Sequence, residues 1–139
     1  MIMYTEIKIN TEASECLINI TEKIQQAVGD SNIKEGICLV FVPHTTAGIT
    51  INSGMDKLTL KDIVAETHRL VPTRVDFNHT YDTPADAAGH IKSVLIGNSL
   101  SLIVKNGALV IGGSQSVMFF EFDGPRSRRV LLRVMGDSE

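Results

Sequence analysis

The last third of the chain constrains the fold most. From residue 99 onward it consists of short, β-branched apolar runs broken by two turn signatures. Segments 99–104 and 109–111 flank Asn106-Gly107, a pair that tolerates positive φ at both positions and favours a type I′ hairpin turn. Segments 117–122 and 130–134 flank Asp123-Gly124-Pro125, which reads as a second reversal. Val130, Leu132 and Val134 alternate with Arg129, Leu131 and Arg133, the two-residue period of a strand with one inward face. A chain that ends this way builds an antiparallel-rich sheet rather than a helical bundle.

The earlier segments add strands and helices in alternation. Segment 2–9 is β-branched and partly alternating, and segment 16–20 reads as a short second strand. Ile20, Ile24, Ala27 and Val28 then recur at helical spacing, with Gly29 as the expected stop. Segment 37–42 is continuously apolar between Gly36 and Pro43, which predicts a strand buried on both faces. A short strand follows at 49–51. Leu60, Ile63, Val64, Thr67 and Val71 make one helix face that Pro72 ends, with Asp62, Glu66 and Arg69 opposite. Thr83-Pro84 is a strong helix start, because Thr caps and Pro loses no needed donor at the first helical position. Ala87, Ile91, Val94 and Leu95 supply that helix's apolar stripe, and Gly97 its stop. The expectation is an α+β fold in one domain, 1–139. It is a sandwich of mostly antiparallel strands, joined largely by hairpins, with two or three helices packed on it.

Composition excludes several functions. The 139 residues carry a net charge of −3, no Trp and 5% aromatics, a poor endowment for coating a polyanion or stacking on bases. No apolar run approaches the roughly 18 residues needed to span a bilayer, and the first ten residues lack the pattern of a signal peptide. A cytoplasmic home with neither nucleic-acid nor membrane partners is therefore expected. There is no GxGxxG, P-loop or GxSxG motif. Cys16 and Cys38 lie far apart in apolar stretches and read as small buried hydrophobes.

Histidines carry the chemical interest. His44 follows the apolar run 37–42, in Pro43-His44-Thr45-Thr46-Ala47-Gly48. His79 sits in a polar loop directly before the capped helix, and His90 lies on that helix four residues after Asp86. The i, i+4 spacing lets Asp86 reach the His90 ring and fix its tautomer. Loop and helix can bring His79 and His90 together, while His44 has to arrive from elsewhere in the fold. Three imidazoles with an open position would suit a divalent metal such as zinc. The same trio could work as acid, base and phosphate binder without metal. His68 reads as a surface residue. Arg126, Arg128 and Arg129 follow the turn after Glu121-Phe122-Asp123, and Arg forks bind carboxylates or phosphates bidentately.

Three segments together resemble the YjbQ family of small uncharacterised proteins. They are His44-Thr45-Thr46-Ala47-Gly48-Ile49-Thr50-Ile51-Asn52, then His90-Ile91-Lys92-Ser93 with Leu95 and Gly97-Asn98-Ser99, and finally Glu121-Phe122-Asp123-Gly124-Pro125-Arg126 with Arg128. The resemblance implies a compact α+β domain that assembles as a homotrimer, with sites near subunit boundaries. Some family members are credited with a secondary thiamine-phosphate synthase activity. The resemblance thus implies a small-molecule enzyme acting on a phosphorylated metabolite. The implied catalytic residues are His44, His79, His90, Glu121 and Arg126. Thr45, Asn52, Lys92, Gln115 and Arg128 would bind substrate or phosphate. The cofactor expected is a divalent metal, zinc or magnesium, on His44, His79 and His90. The other reading is a non-catalytic trimer that binds a metal or an anionic metabolite. It draws on two departures from the family pattern: Ser53 stands where Glu is usual, and Gly113-Ser114-Gln115 where Thr-Trp-Gln is usual.

Overall fold

Strands form where alternation and turn chemistry predict them. The structure, a computed structural model, describes residues 1–137. The elements in chain order are β1 (Ile2–Asn10), β2 (Cys16–Asn19), α1 (Thr21–Asp30), β3 (Glu35–Phe41), β4 (Ala47–Ser53) and α2 (Lys57–Leu70). After these come α3 (Pro84–Ile96), β5 (Ser99–Lys105), β6 (Ala108–Val110), β7 (Gln115–Glu121) and β8 (Ser127–Asp137). One sheet has the order β1-β8-β3-β5-β6 and a smaller one β2-β7-β4. Every strand pairing is antiparallel.

The sheets bury their inner faces against each other and against α1. Val40, Leu132 and Val134 of the larger sheet meet Ile49, Val117 and Phe119 of the smaller one, with Ile24 and Val28 of α1 in the same cluster. Each such side chain contributes roughly 1.5–3 kcal/mol when removed from water. Cys38 belongs to this core, and burial pushes its thiol up to about 11, so it is an inert apolar filler.

Local chemistry sets α3 as expected. Thr83 caps it, its hydroxyl accepting from the Asp86 N–H, and Pro84 opens the first turn. Gly97 ends it at φ +96°, a conformation that costs glycine little. Gly89 lets the helix lie close on the chain after β3, since a Cβ there would approach the Thr46 Cβ to 3.2 Å. Asn106 and Gly107 take φ of 53° and 76°, as a type I′ turn requires.

Four expectations need correction. First, β3 is not covered on both faces by its own chain. Cys38 and Val40 are buried, but Ile37, Leu39 and Phe41 are exposed on the outer face. Second, β5–β6 is the one pair of consecutive strands bonded to each other, so hairpins are not the main connection among the described residues. Third, the turn at 123–125 carries the chain from the smaller sheet to the larger instead of closing a hairpin. Fourth, Gly29 lies inside α1, and the chain leaves that helix through Ser31 and Asn32, the latter at φ 59°. No helix among the described residues is long and apolar enough to cross a membrane.

Candidate functional site

The capped start of α3 gathers the polar centre of the molecule. Asp86 is three residues past the Thr83 cap, where the helix N-terminus favours a negative charge, and its side chain is buried. Its Oδ2 meets His79 Nε2 at 2.7 Å and His90 Nε2 at 3.1 Å. The two imidazole rings lie edge to face, 5.2 Å apart. Burial alone would push Asp86 up. The hydrogen bond from His79, with the charge and hydrogen bond of His90, outweighs that and holds the carboxyl below its ordinary value.

The backbone fixes the His90 tautomer. His90 Nδ1 faces the Thr45 carbonyl at 3.1 Å, and a carbonyl oxygen only accepts, so the proton is on Nδ1. In the neutral ring, Nε2 then aims a lone pair at Asp86 Oδ2, which is itself an acceptor. That contact is favourable when the ring is an imidazolium or when a cation lies between the two atoms. The ligand atoms of His79, Asp86 and His90 all fall within 4.8 Å of one another. Two imidazoles and a carboxylate suit zinc and the other divalent first-row metals better than magnesium, which prefers all-oxygen ligands. This chain's own donors thus fit the metal expected from its sequence, with Asp86 among them.

His44 does not join this cluster. Its Nε2 accepts a hydrogen bond from the Arg129 N–H of β8 at 3.0 Å, turning the ring toward the larger sheet. Burial first, and then the Arg128 charge, lower its pKa below the ordinary histidine value. His44 lines a separate cleft of about 400 Å³ with Lys8, Asn10 and Arg129. Within one chain, the ligand atoms that lie together are those of His79, Asp86 and His90, and His44 is not among them.

Glu121 and Arg128 form a buried support beneath the cluster. Glu121 has no exposed surface, and it accepts from Thr11 Oγ1 at 2.7 Å, Arg128 Nε at 2.9 Å and Arg128 Nη2 at 2.5 Å. The backbone N–H groups of Phe122 and Asp123 complete its shell. Burial raises the Glu121 pKa, but the bonds from Arg128, Thr11 and Asp123 outweigh it and keep the group ionised. Arg128 Nη2 also donates to Thr46 Oγ1 at 2.8 Å. Glu121 and Arg128 therefore position the His44–Gly48 segment, including the carbonyl that orients His90, and Glu121 has no exposed surface with which to meet a substrate.

The remaining expected site residues divide into near and far. Thr45 is exposed and contributes its carbonyl to His90. Arg126 is half exposed, with Nε donating to the Asp123 carbonyl at 2.7 Å and Nη2 to Asp123 Oδ2 at 2.9 Å. Those contacts raise its pKa, and the charges of Glu121 and Asp86 add to them. Asn52 and Gln115 lie elsewhere. The β4–β7 register pairs Ala47 with Glu121 near the cluster but Ser53 with Gln115 at the other end, roughly 20 Å away at about 3.3 Å per residue. Asn52 caps the Ser53 N–H, and Gln115 accepts from the Gly112 N–H. Ser53 and Ser114, the two departures from the family pattern, are at that far end and take nothing from the cluster.

Lys92 also leaves the site. It is two residues beyond His90, so it points from another face of α3, where its 1% exposed side chain pairs with Glu15. His68, expected at the surface, is 47% exposed, and its Nδ1 meets the other Glu15 oxygen at 3.0 Å.

The family model described as UPF0047 protein YjbQ-like matches residues 5–137. A UPF0047 protein of Methanocaldococcus jannaschii is 39% identical over 135 residues, covering 97% of this chain and 96% of that protein. The UPF0047 protein YugU of Bacillus subtilis is 34% identical over 134 residues, covering 96% and 100%. Among solved structures, a YbjQ-like protein of unknown function from Sulfolobus solfataricus superposes with a TM-score of 0.93 at 29% identity, covering 99% of each chain. An uncharacterised yjbq/upf0047 family protein from Clostridium acetobutylicum gives 0.87 at 36% identity, covering 94% of this chain and 99% of that one. With the family model matching residues 5–137 and the fold superposing over nearly its whole length, the chain belongs to the YjbQ-like UPF0047 family.

Proposed function

We propose that this protein is a small-molecule enzyme whose site, centred on His79, Asp86 and His90, holds a divalent cation and takes a phosphorylated substrate. The observation that carries this reading is the contact between His90 Nε2 and Asp86 Oδ2, two acceptors 3.1 Å apart once Nδ1 is committed to the Thr45 carbonyl. A divalent cation bound there would supply charge stabilisation to phosphate oxygens. Arg126, half exposed with its guanidinium fixed by Asp123, would be the forked cation that meets a phosphate of the substrate. Zinc fits the donors better than magnesium does.

The reaction to assay is formation of thiamine phosphate, as a secondary activity. A thiazole ring nitrogen attacks the methylene carbon of a pyrimidine pyrophosphate. The new C–N bond forms as the C–O bond breaks, and pyrophosphate leaves with the electron pair. The attacking nitrogen carries no proton, so this alkylation asks for no general base. What it asks for is neutralisation of the leaving pyrophosphate and a held substrate, which a bound cation together with Arg126 would supply.

We also propose that the working form is a homotrimer. The outer face of the larger sheet supports this. Ile2, Met135, Ile37, Ile103 and Val110 fall in one register row across all five strands, each between 39% and 62% exposed. A row of that kind is characteristic of a covered surface.

The second reading, a non-catalytic trimer that binds a metal or an anionic metabolite, uses the same cluster without turnover. A turnover assay with pyrimidine pyrophosphate and thiazole phosphate separates the two. Product from the wild type and none from His79→Ala supports the enzyme. Binding of pyrophosphate with no product supports the binder. Equal product from both proteins would remove His79 from the site.

A further inference from the structure

We propose that the cleft between α2 and β2 is a binding site for a small amphiphile with an apolar body and one anionic head group, a carboxylate or a phosphate. The cleft is about 600 Å³, within the range of small-molecule sites and well above the ~150 Å³ of a cavity left by one missing side chain. It does not overlap the lining of the His44 cleft or the histidine–aspartate cluster.

Its shape follows from how α2 sits. No residue of this helix is buried, although Leu60, Val64 and Ala65 make an apolar stripe that a helix ordinarily presses onto a core. The stripe faces the cleft instead, with Leu17 of β2 lining the other wall. An apolar ligand body would give it the missing contact.

The charges around the cleft select the head group. Glu15 is its one lining carboxylate, and both of its oxygens are occupied, one by buried Lys92 and the other by His68 Nδ1. Lys57 and Lys61 lie one turn apart on the same face of α2 and line the cleft. Neither has an acidic partner within 4.0 Å among the described residues. The net field on a guest is therefore positive, and an anion is favoured over a cation or a neutral head.

Cys16 provides a reporter, because it lines the cleft and is partly exposed while Cys38 is buried. The experiment measures alkylation of Cys16 by a maleimide on the full-length protein, with octanoate, octyl phosphate, octanol or octylammonium present. Octanoate or octyl phosphate should slow Cys16 labelling saturably, and comparison of the two identifies the head group. The double variant Lys57→Gln/Lys61→Gln, altered at exposed positions that leave the fold intact, should need about three- to tenfold more ligand for the same protection. Lys8→Gln, in the other cleft, should behave as wild type. Protection by octanol or octylammonium as strong as by the anions would overturn the proposal. So would an absence of protection by any probe, or unchanged protection in the double lysine variant.

Discussion

Glu121 is charged and wholly enclosed, a state that only its partners make tolerable. Five donors reach its two oxygens, and its guanidinium partner is itself buried. Removing one member of such a pair strands the other. Glu121→Ala should lose about 3–5 kcal/mol in urea denaturation, a stability effect separate from any loss of activity. An effect below about 1 kcal/mol would show that Arg128 finds other partners. His44 gives a pH signature. Its pKa is lowered in the fold, so the unfolded chain binds a proton more readily than the native one. The stability it contributes is present above the ordinary value of 6.5 and is lost as pH falls through the lower native pKa. His44→Gln should therefore flatten the fall in urea midpoint between about pH 6.5 and 5, and an unchanged slope would assign that fall to other groups. The Asp86–His90 contact was legible in the sequence because i, i+4 spacing on a helix dictates it. The direction of the His44 ring was not, because a backbone N–H on β8, 85 residues away, decides it.

At the scale of elements, local chemistry was readable and long-range pairing was not. The α3 boundaries and the Asn106-Gly107 hairpin depend on residues adjacent in sequence, and both lie where the turn and cap residues put them. Asn52 and Gln115 are site residues only by what the family resemblance implies, and nothing in their own neighbourhood indicates that the antiparallel β4–β7 register puts them at the end away from the histidines. The Asp123-Gly124-Pro125 turn reads the same whether the chain returns to its own sheet or crosses to another. The cap of α3 is also a test of how the site is held. Thr83→Ala should lower stability by about 1 kcal/mol and loosen Asp86, whose N–H the Thr83 hydroxyl accepts. A cation affinity identical to wild type in that variant would show that the cluster is held by its other contacts alone.

For the whole molecule, the unexpected exposure of β3 and the proposed assembly are one problem. A continuous apolar run tells that both faces are to be covered, but not whether the cover is the same chain. Here the inner face meets the core, and the outer row from Ile2 to Val110 stays exposed among the described residues. Ile37→Lys places a charge in the middle of that row without touching the core. Light scattering should show trimers for the wild type and smaller species for this variant. A monomeric wild type at micromolar concentration, or an unaffected variant, would count against assembly through this face. The proposed site holds a cation on His79, Asp86 and His90, and calorimetric titration of the metal-stripped protein with zinc measures that binding directly. The wild type and His44→Ala should each bind one ion per chain at the same affinity, and Asp86→Asn should bind at least about 100-fold more weakly. Equal binding by Asp86→Asn, or no binding by the wild type, would contradict it.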